Sequence, residues 1–499
     1  MMKNFLKYFS FFVKKYIKIS LKQVRKAMSE KVKRRFKLKK PASAGILYTA
    51  LSAMERGSSV IFAPIYTRLL LPEEYGIYSL FISFMGIISI FSTLEISGGA
   101  VYRALREFED EKRVSSAAIG LISITSLLTF LAYLLFSDFI NSFSKLNTYL
   151  TVILFVQVFL NGIRAIKSSS AKFSYDKKLP LLEGIFFSFI SPFLSITFLI
   201  LFDKSEYSKI YASLLSSIAF SAPIIFTTLK QGAKRLFDKR VWIFLIKYSL
   251  PTVPHFLSMS LIWQIGKICV ANSFSTAETA LLSLAISVSL IPSVISTGIQ
   301  SAMVPWLTRR LPEGSAGRKR IYSLLLTAFF PFCLLVVLFL LICPELFVLL
   351  STKAYYPALI AVYPIALGVP LLFLSAIFSS EISHYKRTLF ITFGSLSGMF
   401  FSLICNLLFT SKVGFLLPAI LIPPAFFIIN TVYVLFLRLK LHDIELPIAK
   451  LILIFFAFSI LVLIAFLLRI SFSARLVYAI ALIMLMLPRL MDIKELCKE

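Results

Sequence analysis

The sequence predicts an all-α, polytopic membrane protein of about fourteen transmembrane helices, built as two six-helix lobes with two appended helices. The first ground is composition: of 499 residues, 58% are hydrophobic and 15% charged, with a mean hydropathy of +0.86. A soluble chain carries roughly 25% charged residues and 45–50% apolar ones. The polar material is too scarce to cover soluble domains, which excludes a soluble enzyme, a secreted disulfide scaffold and a disordered chain. The second ground is a series of apolar stretches of span length, and the third is an internal repeat.

Residues 1–42 come first. Positions 1–40 hold 15 Lys/Arg against one acid, Glu30, and Phe5, Phe9, Phe12, Tyr16 and Ile17 recur at helical spacing. This pattern predicts a basic amphipathic segment on anionic lipids of the inner leaflet. It lacks the continuous apolar core and cleavage site of a signal peptide. Apolar stretches then run over residues 43–65, 75–98, 115–136, 149–168, 181–202, 208–229, 243–271, 279–301, 321–350, 357–380, 388–410, 414–437, 450–469 and 473–489. Each is long enough to cross the hydrocarbon core as a helix.

Loop charge orients the chain. With the N-terminus inside, and charges near span ends such as Lys209 counted with the adjoining loops, the inner segments hold 42 Lys/Arg and the outer loops 8, leaving Arg56, Lys247 and Lys267 within spans. That asymmetry is a positive-inside signal, and it predicts that both termini are cytoplasmic. A net charge of +29 in a soluble protein would suggest nucleic acid. Here topology accounts for it, and no nucleic-acid partner is expected. The five cysteines form no CxxC or Cys/His cluster, so neither disulfide nor metal site is expected.

Shifting the chain by 204 residues lays the second span on the eighth. Glu74 meets Glu278, Ser79 meets Ser283, Ser92-Thr93 meets Ser296-Thr297 and Arg106 meets Arg310. Eleven of the 35 positions from 72 to 106 are identical without gaps. The repeat divides the chain into an N-lobe at 43–229, a linker at 230–242, a C-lobe at 243–437, and the appended helices with a short cytoplasmic tail at 438–499. Six spans is an even number, so the lobes are parallel repeats about an axis along the membrane normal. Such a pair can rock about a midplane cavity, the geometry of alternating access.

The segment Tyr66-Thr67-Arg68-Leu69-Leu70-Leu71-Pro72-Glu73-Glu74-Tyr75-Gly76-Ile77-Tyr78 closely resembles the one joining the first two spans of Wzx-type polysaccharide-biosynthesis flippases. Their superfamily also holds the lipid II flippases and the multidrug and toxin extrusion transporters. Tyr248-x-x-Pro251-x-x-Pro254 and Tyr355-Tyr356-Pro357-Ala358 are similar to that family as well. The resemblance covers nearly the whole chain beyond residue 40. It implies export of a polyprenyl-(pyro)phosphate-linked oligosaccharide from the inner to the outer leaflet of a bacterial or archaeal cytoplasmic membrane, for cell-surface polysaccharide such as O-antigen or exopolysaccharide. It implies no enzymatic chemistry and no cofactor. Energy would come from a coupling proton or sodium ion, the membrane potential or downstream glycan consumption, and other polysaccharide-assembly membrane proteins would be partners. The sequence carries no Walker-A loop, GxSxG or His/Glu metal motif. Alternatives of the same fold are a lipid II-type flippase and an ion-coupled drug antiporter. A membrane-embedded glycan polymerase or ligase would need a large outer loop, and the longest here is about a dozen residues.

Ionisable groups inside spans are costly and mark functional candidates. Arg56 is a candidate for the substrate's pyrophosphate, since its planar fork grips phosphate bidentately; the alternative is a structural partner. Lys267 and Gln264, three residues apart on one face of the seventh span, are cavity candidates, with snorkelling as the alternative for Lys267. Gln300, one position past the repeat-mate of Glu95, joins them. Glu55 and Glu95 are candidates for a coupling ion or a charge pair, Glu95 also for pairing with Arg103 or Arg106. Arg68, Arg103, Arg106, Arg164 and Lys167 are head-group entry or gate candidates that topology alone would also explain. Pro251, Pro254 and Pro292 interrupt the seventh and eighth spans as hinges or static kinks. The resemblance places spans one, two, seven and eight around the central cavity.

Overall fold

A computed structural model of the chain describes residues 40–232, 235–440 and 445–496. Of the basic amphipathic segment expected at 1–42, residues 1–39 lie outside them and 40–42 begin the first helix. Among the described residues there is no strand.

The N-lobe opens with α1 (Lys40–Leu69) and α2 (Pro72–Thr93). Pro72 starts α2, where a missing N–H costs nothing, and Glu74 caps it by accepting from the Leu71 amide at 2.8 Å. The helix ends where Leu94 and Glu95 both take φ of 49°, a left-handed region costly to a residue with a Cβ. The predicted second span ran on to residue 98. Its tail instead forms a 3₁₀ turn and the short amphipathic α3 (Ala100–Phe108).

Four more spans follow. They are α4 (Glu111–Leu135), α6 (Thr148–Phe173), a fifth made of α7 (Lys178–Ile185), a π-helical turn at Phe186–Ile190 and α8 (Ser191–Leu201), and α9 (Glu206–Gly232). The short α5 (Ser137–Ser144) occupies the loop between α4 and α6.

The C-lobe begins with α10 (Lys239–Ser249), a 3₁₀ turn over Leu250–Thr252 and α11 (Val253–Ser273). The break falls at Pro251. Although it leads into the C-lobe, α10 packs on the N-lobe: Val241 and Leu245 join the core of α3 and α4. Gly120 of α4 permits this, because a Cβ there would stand 2.1 Å from the Leu236 carbonyl oxygen. Asp238 caps α10 and accepts from Arg113 Nε at 2.6 Å. The eighth span is α12 (Thr276–Ser289) and α13 (Ser293–Arg310), bent by 43° at the break that contains Pro292.

The ninth to twelfth spans are α14 (Ser315–Leu350), α15 (Ala358–His384), α16 (Thr388–Val413) and α17 (Leu417–Lys440). The appended pair is α18 (Ile448–Leu467) and α19 (Phe472–Leu496). They join the C-lobe's apolar core through Phe458, Val462, Ala465 and Leu482. Arg475 of α19, 7% exposed, grips Glu345 of α14 with both terminal nitrogens and donates to the Leu341 carbonyl at 2.6 Å. Among the described residues, 11 of these helices are long and apolar enough to cross a membrane, or 12 with the bent α12–α13 pair as one span; α1 and the shorter apolar run of α19 complete the predicted plan of about fourteen.

Candidate functional site

The two lobes meet face to face along α2 and α12. Ser79 and Ser283, partners under the 204-residue shift, touch hydroxyl to hydroxyl. Gly76 lies so close that a Cβ would stand 1.9 Å from the Thr276 carbonyl oxygen. Around them the end of the molecule bearing the α1–α2 turn is tied across the lobes. Thr67 Oγ1 donates to the Leu350 carbonyl at 2.8 Å, Arg68 Nη2 to the Leu349 carbonyl at 3.0 Å, and Tyr355 hydroxyl to the Leu70 carbonyl at 3.2 Å. Asn272 Nδ2 donates to the Phe143 carbonyl at 2.7 Å. At the opposite end, among the described residues, the ties across residues 110–117 and 235–242 belong to α10 and its approach: Arg113 with Asp238, Arg235 with Asp110, and Trp242 with the Ala117 carbonyl.

Behind this seal Lys267 of α11 is buried, 8% exposed, with no ion pair among the described residues. Its carbonyl accepts from Thr279 at 3.4 Å. Gln264, one turn earlier, has a buried Oε1 with no hydrogen-bond partner. Gln300 is satisfied within its own helix by Ser296, at 2.9 Å. His255 is held by Ser395 Oγ at 3.0 Å.

In the N-lobe, Arg56 lies on α1, and its side chain is outside the described residues. Glu55 is exposed. It lines a cleft of about 60 Å³ between α1, α6 and α7 with Tyr48, Ser168, Lys172 and Glu183. Arg164 meets Glu183 at 3.4 Å and lies 4.0 Å over the Phe187 ring. That ring belongs to the π-helical turn, a distortion that often accompanies functional sites. Lys167 sits half-buried one turn further on α6.

Glu95 is not inside a span. It occupies the left-handed junction after α2, half-buried, and no ion pair joins it to Arg103 or Arg106. Arg103 lies 4.9 Å over the Tyr248 ring, and Arg106 is exposed on α3.

Several buried ionisable groups were not singled out from the sequence. Lys209, counted there with an outer loop, is 4% exposed and sits among Tyr66, Tyr75 and Tyr78. Glu381, 1% exposed, accepts from Tyr322 hydroxyl at 3.1 Å through both oxygens. Arg475 is buried against α14, where the exposed Glu345 clamps it. Single charges near span ends read as loop residues, and only packing distinguishes them. On the C-lobe, an apolar groove of about 450 Å³ is lined by Leu367, Phe401, Pro423, Phe427 and Phe455. It lies partly on the appended α18.

Comparisons with known proteins place this arrangement. The chain resembles the solved lipid II flippase MurJ in an inward closed conformation, with a TM-score of 0.65 and 17% identity over 88% of this chain and 98% of that one. It also resembles a multidrug resistance MATE family transporter of the MOP superfamily, inward-facing, with a TM-score of 0.61 and 14% identity over 81% of this chain and 99% of that one. An outward-facing MATE structure gives 0.56 and 17% over 82% and 97%. These likenesses establish a shared fold. No curated protein matches the chain in sequence. The model of the family described as polysaccharide biosynthesis protein matches residues 43–311, more than half of the chain. A repeat whose mates meet at the lobe contact, on a fold shared with lipid and drug transporters, thus carries a family signature across its N-lobe and into its C-lobe: the chain belongs to the polysaccharide biosynthesis protein family.

Proposed function

We propose that the protein is a Wzx-type flippase. It moves a polyprenyl-(pyro)phosphate-linked oligosaccharide from the cytoplasmic to the outer leaflet by alternating access between its lobes. The observation that carries the reading is the family match over 43–311. Three features support it over a drug antiporter of the same fold. The family is one of glycan assembly. Lys267 is buried without a carboxylate partner among the described residues, suited to an anionic head group that cannot cross hydrocarbon unneutralised. The apolar groove reaches onto α18, a helix appended to the two six-helix lobes, and offers carbon to a lipid tail.

In this reading Arg56 and Lys267 hold the head group, with Gln264 and Gln300 beside them. Glu55 or Glu95 resets the empty carrier by taking up a proton or sodium ion. The seal at the α1–α2 turn is the outer gate, the protein is closed there, and Arg164 and Lys167 stand near the inner mouth.

Deleting the gene should make one lipid-linked glycan accumulate on the inner leaflet, and its identification names the substrate. Complementation with Arg56→Ala or Lys267→Ala at matched protein levels should leave export reduced about ten-fold or more, the scale of losing one charge-assisted contact. Full export by both variants, or no accumulating glycan, would sink the reading.

A further inference from the structure

Lys209 stands on the first turn of α9, 4% exposed. Its Nζ lies 3.7 Å from the ring centroids of Tyr66 and Tyr78 and 4.9 Å from that of Tyr75. Among the described residues no carboxylate pairs with it, not even Glu206, one turn back on α9. Aromatic faces attract an ammonium electrostatically, and more strongly where water is excluded. The three rings are therefore the groups placed to hold an ammonium at this position.

All three tyrosines flank the α1–α2 turn. Tyr66 lies in the last turn of α1, Tyr75 and Tyr78 in the first two turns of α2. One ammonium thus gathers the ends of two helices against a third. The Tyr75 ring also meets Tyr355 of the C-lobe, with centroids 6.0 Å apart and the rings at 88°. Tyr355 in turn bonds to Leu70. Next along α2 come Gly76, pressed on the Thr276 backbone, and Ser79, touching Ser283. A continuous line of contacts runs from a buried cation inside the N-lobe to the seal between the lobes.

We propose that Lys209 is the latch of this seal. Its ammonium fixes the three rings in the arrangement that presents Tyr75 to Tyr355 and the Gly76 face to α12. The lobes part at this end only when the cage loosens. Lys209 acts through the tyrosines and is a positioning residue. The proposal concerns the lobe contact alone, so it stands or falls independently of what the protein carries.

The test uses the full chain with its five native cysteines replaced. A Ser79→Cys/Ser283→Cys pair reports the seal through its rate of oxidative cross-linking in membranes. A Ser115→Cys/Ser170→Cys pair, whose hydroxyls lie 3.4 Å apart inside the N-lobe, is the control. Lys209→Met should slow cross-linking across the seal by about five-fold or more while leaving the control rate unchanged. Lys209→Arg should restore the parental rate to within about two-fold, because a guanidinium also binds aromatic faces. Tyr78→Leu should reproduce the Met effect, and it carries the test if Lys209→Met fails to reach the membrane. Parental cross-linking in both the Met and Leu variants would overturn the latch. So would an equal fall in both cysteine pairs, which would mark Lys209 as a general packing residue.

Discussion

Charged side chains in this molecule differ in what surrounds them. Arg475 meets a carboxylate and a carbonyl on the neighbouring helix, Lys209 meets only aromatic faces, and Lys267 meets no counter-charge among the described residues. A paired group and an unpaired one look alike in sequence. Arg56, Lys267 and Glu55 could be picked out because long apolar runs surround them. Lys209, Glu381 and Arg475 sit near span ends, where position alone cannot separate a loop charge from a buried one. At the loop end of α10, Asp238 accepts from Arg113 and from the amides of Arg240 and Val241. The Arg113 hydrogen bond foremost, against partial burial and aided by the amides, holds the Asp238 carboxyl below the usual carboxylate range. A depressed folded value adds stability above the unfolded value of about 3.9, lost as pH falls through the folded one. Asp238→Ala should therefore lower the melting temperature at pH 7 and lower it less at pH 3. An undiminished difference at pH 3 would remove ionisation from the account and leave capping.

Helices were legible wherever length and hydropathy decide, because a bilayer demands about 20 apolar residues and internally satisfied backbone groups. Their interruptions were legible only where proline marks them, as at Pro251 and Pro292. The stop at Leu94 and Glu95 and the π-helical turn at Phe186–Ile190 have no such mark, since ordinary residues are held there by their neighbours. Close helix approach is likewise a property of pairs. Gly76 sits in a recognisable motif, yet its need for hydrogen in place of a methyl follows from Thr276 on the other lobe. Gly76→Ala should force α2 and α12 apart. Spin labels at positions 145 and 353, one on each lobe near the seal, should report a distance distribution shifted outward. Gly57→Ala, whose added methyl meets nothing within 4 Å, should leave the distribution at its parental value. An unshifted Gly76→Ala distribution would mean that the seal yields elsewhere and that this contact does not set closure.

At the scale of the whole molecule, the two-lobe plan was legible in an offset of 204 residues, and the loop charges predict an orientation. The packing of α10 on the N-lobe was not, because the repeat assigns that helix to the other half. Its apolar Val241 and Leu245 carry no label for the core they enter. Reporter fusions after residues 40, 235 and 315 and at the C-terminus should read cytoplasmic, and those near 141 and 412 external. A consistent reversal would turn the seal toward the cytoplasm and invert the direction of transport proposed above.

The meeting of Ser79 with Ser283 has a consequence for symmetry. A position that touches its own repeat-mate is what a two-fold homodimer shows at its axis, where one patch is complementary to itself. Two copies of one half would assemble through a contact of this kind. In such a pair any change at the position alters the interface from both sides at once. Within one chain each serine can vary alone, so the axis is where two halves can differ while still holding each other.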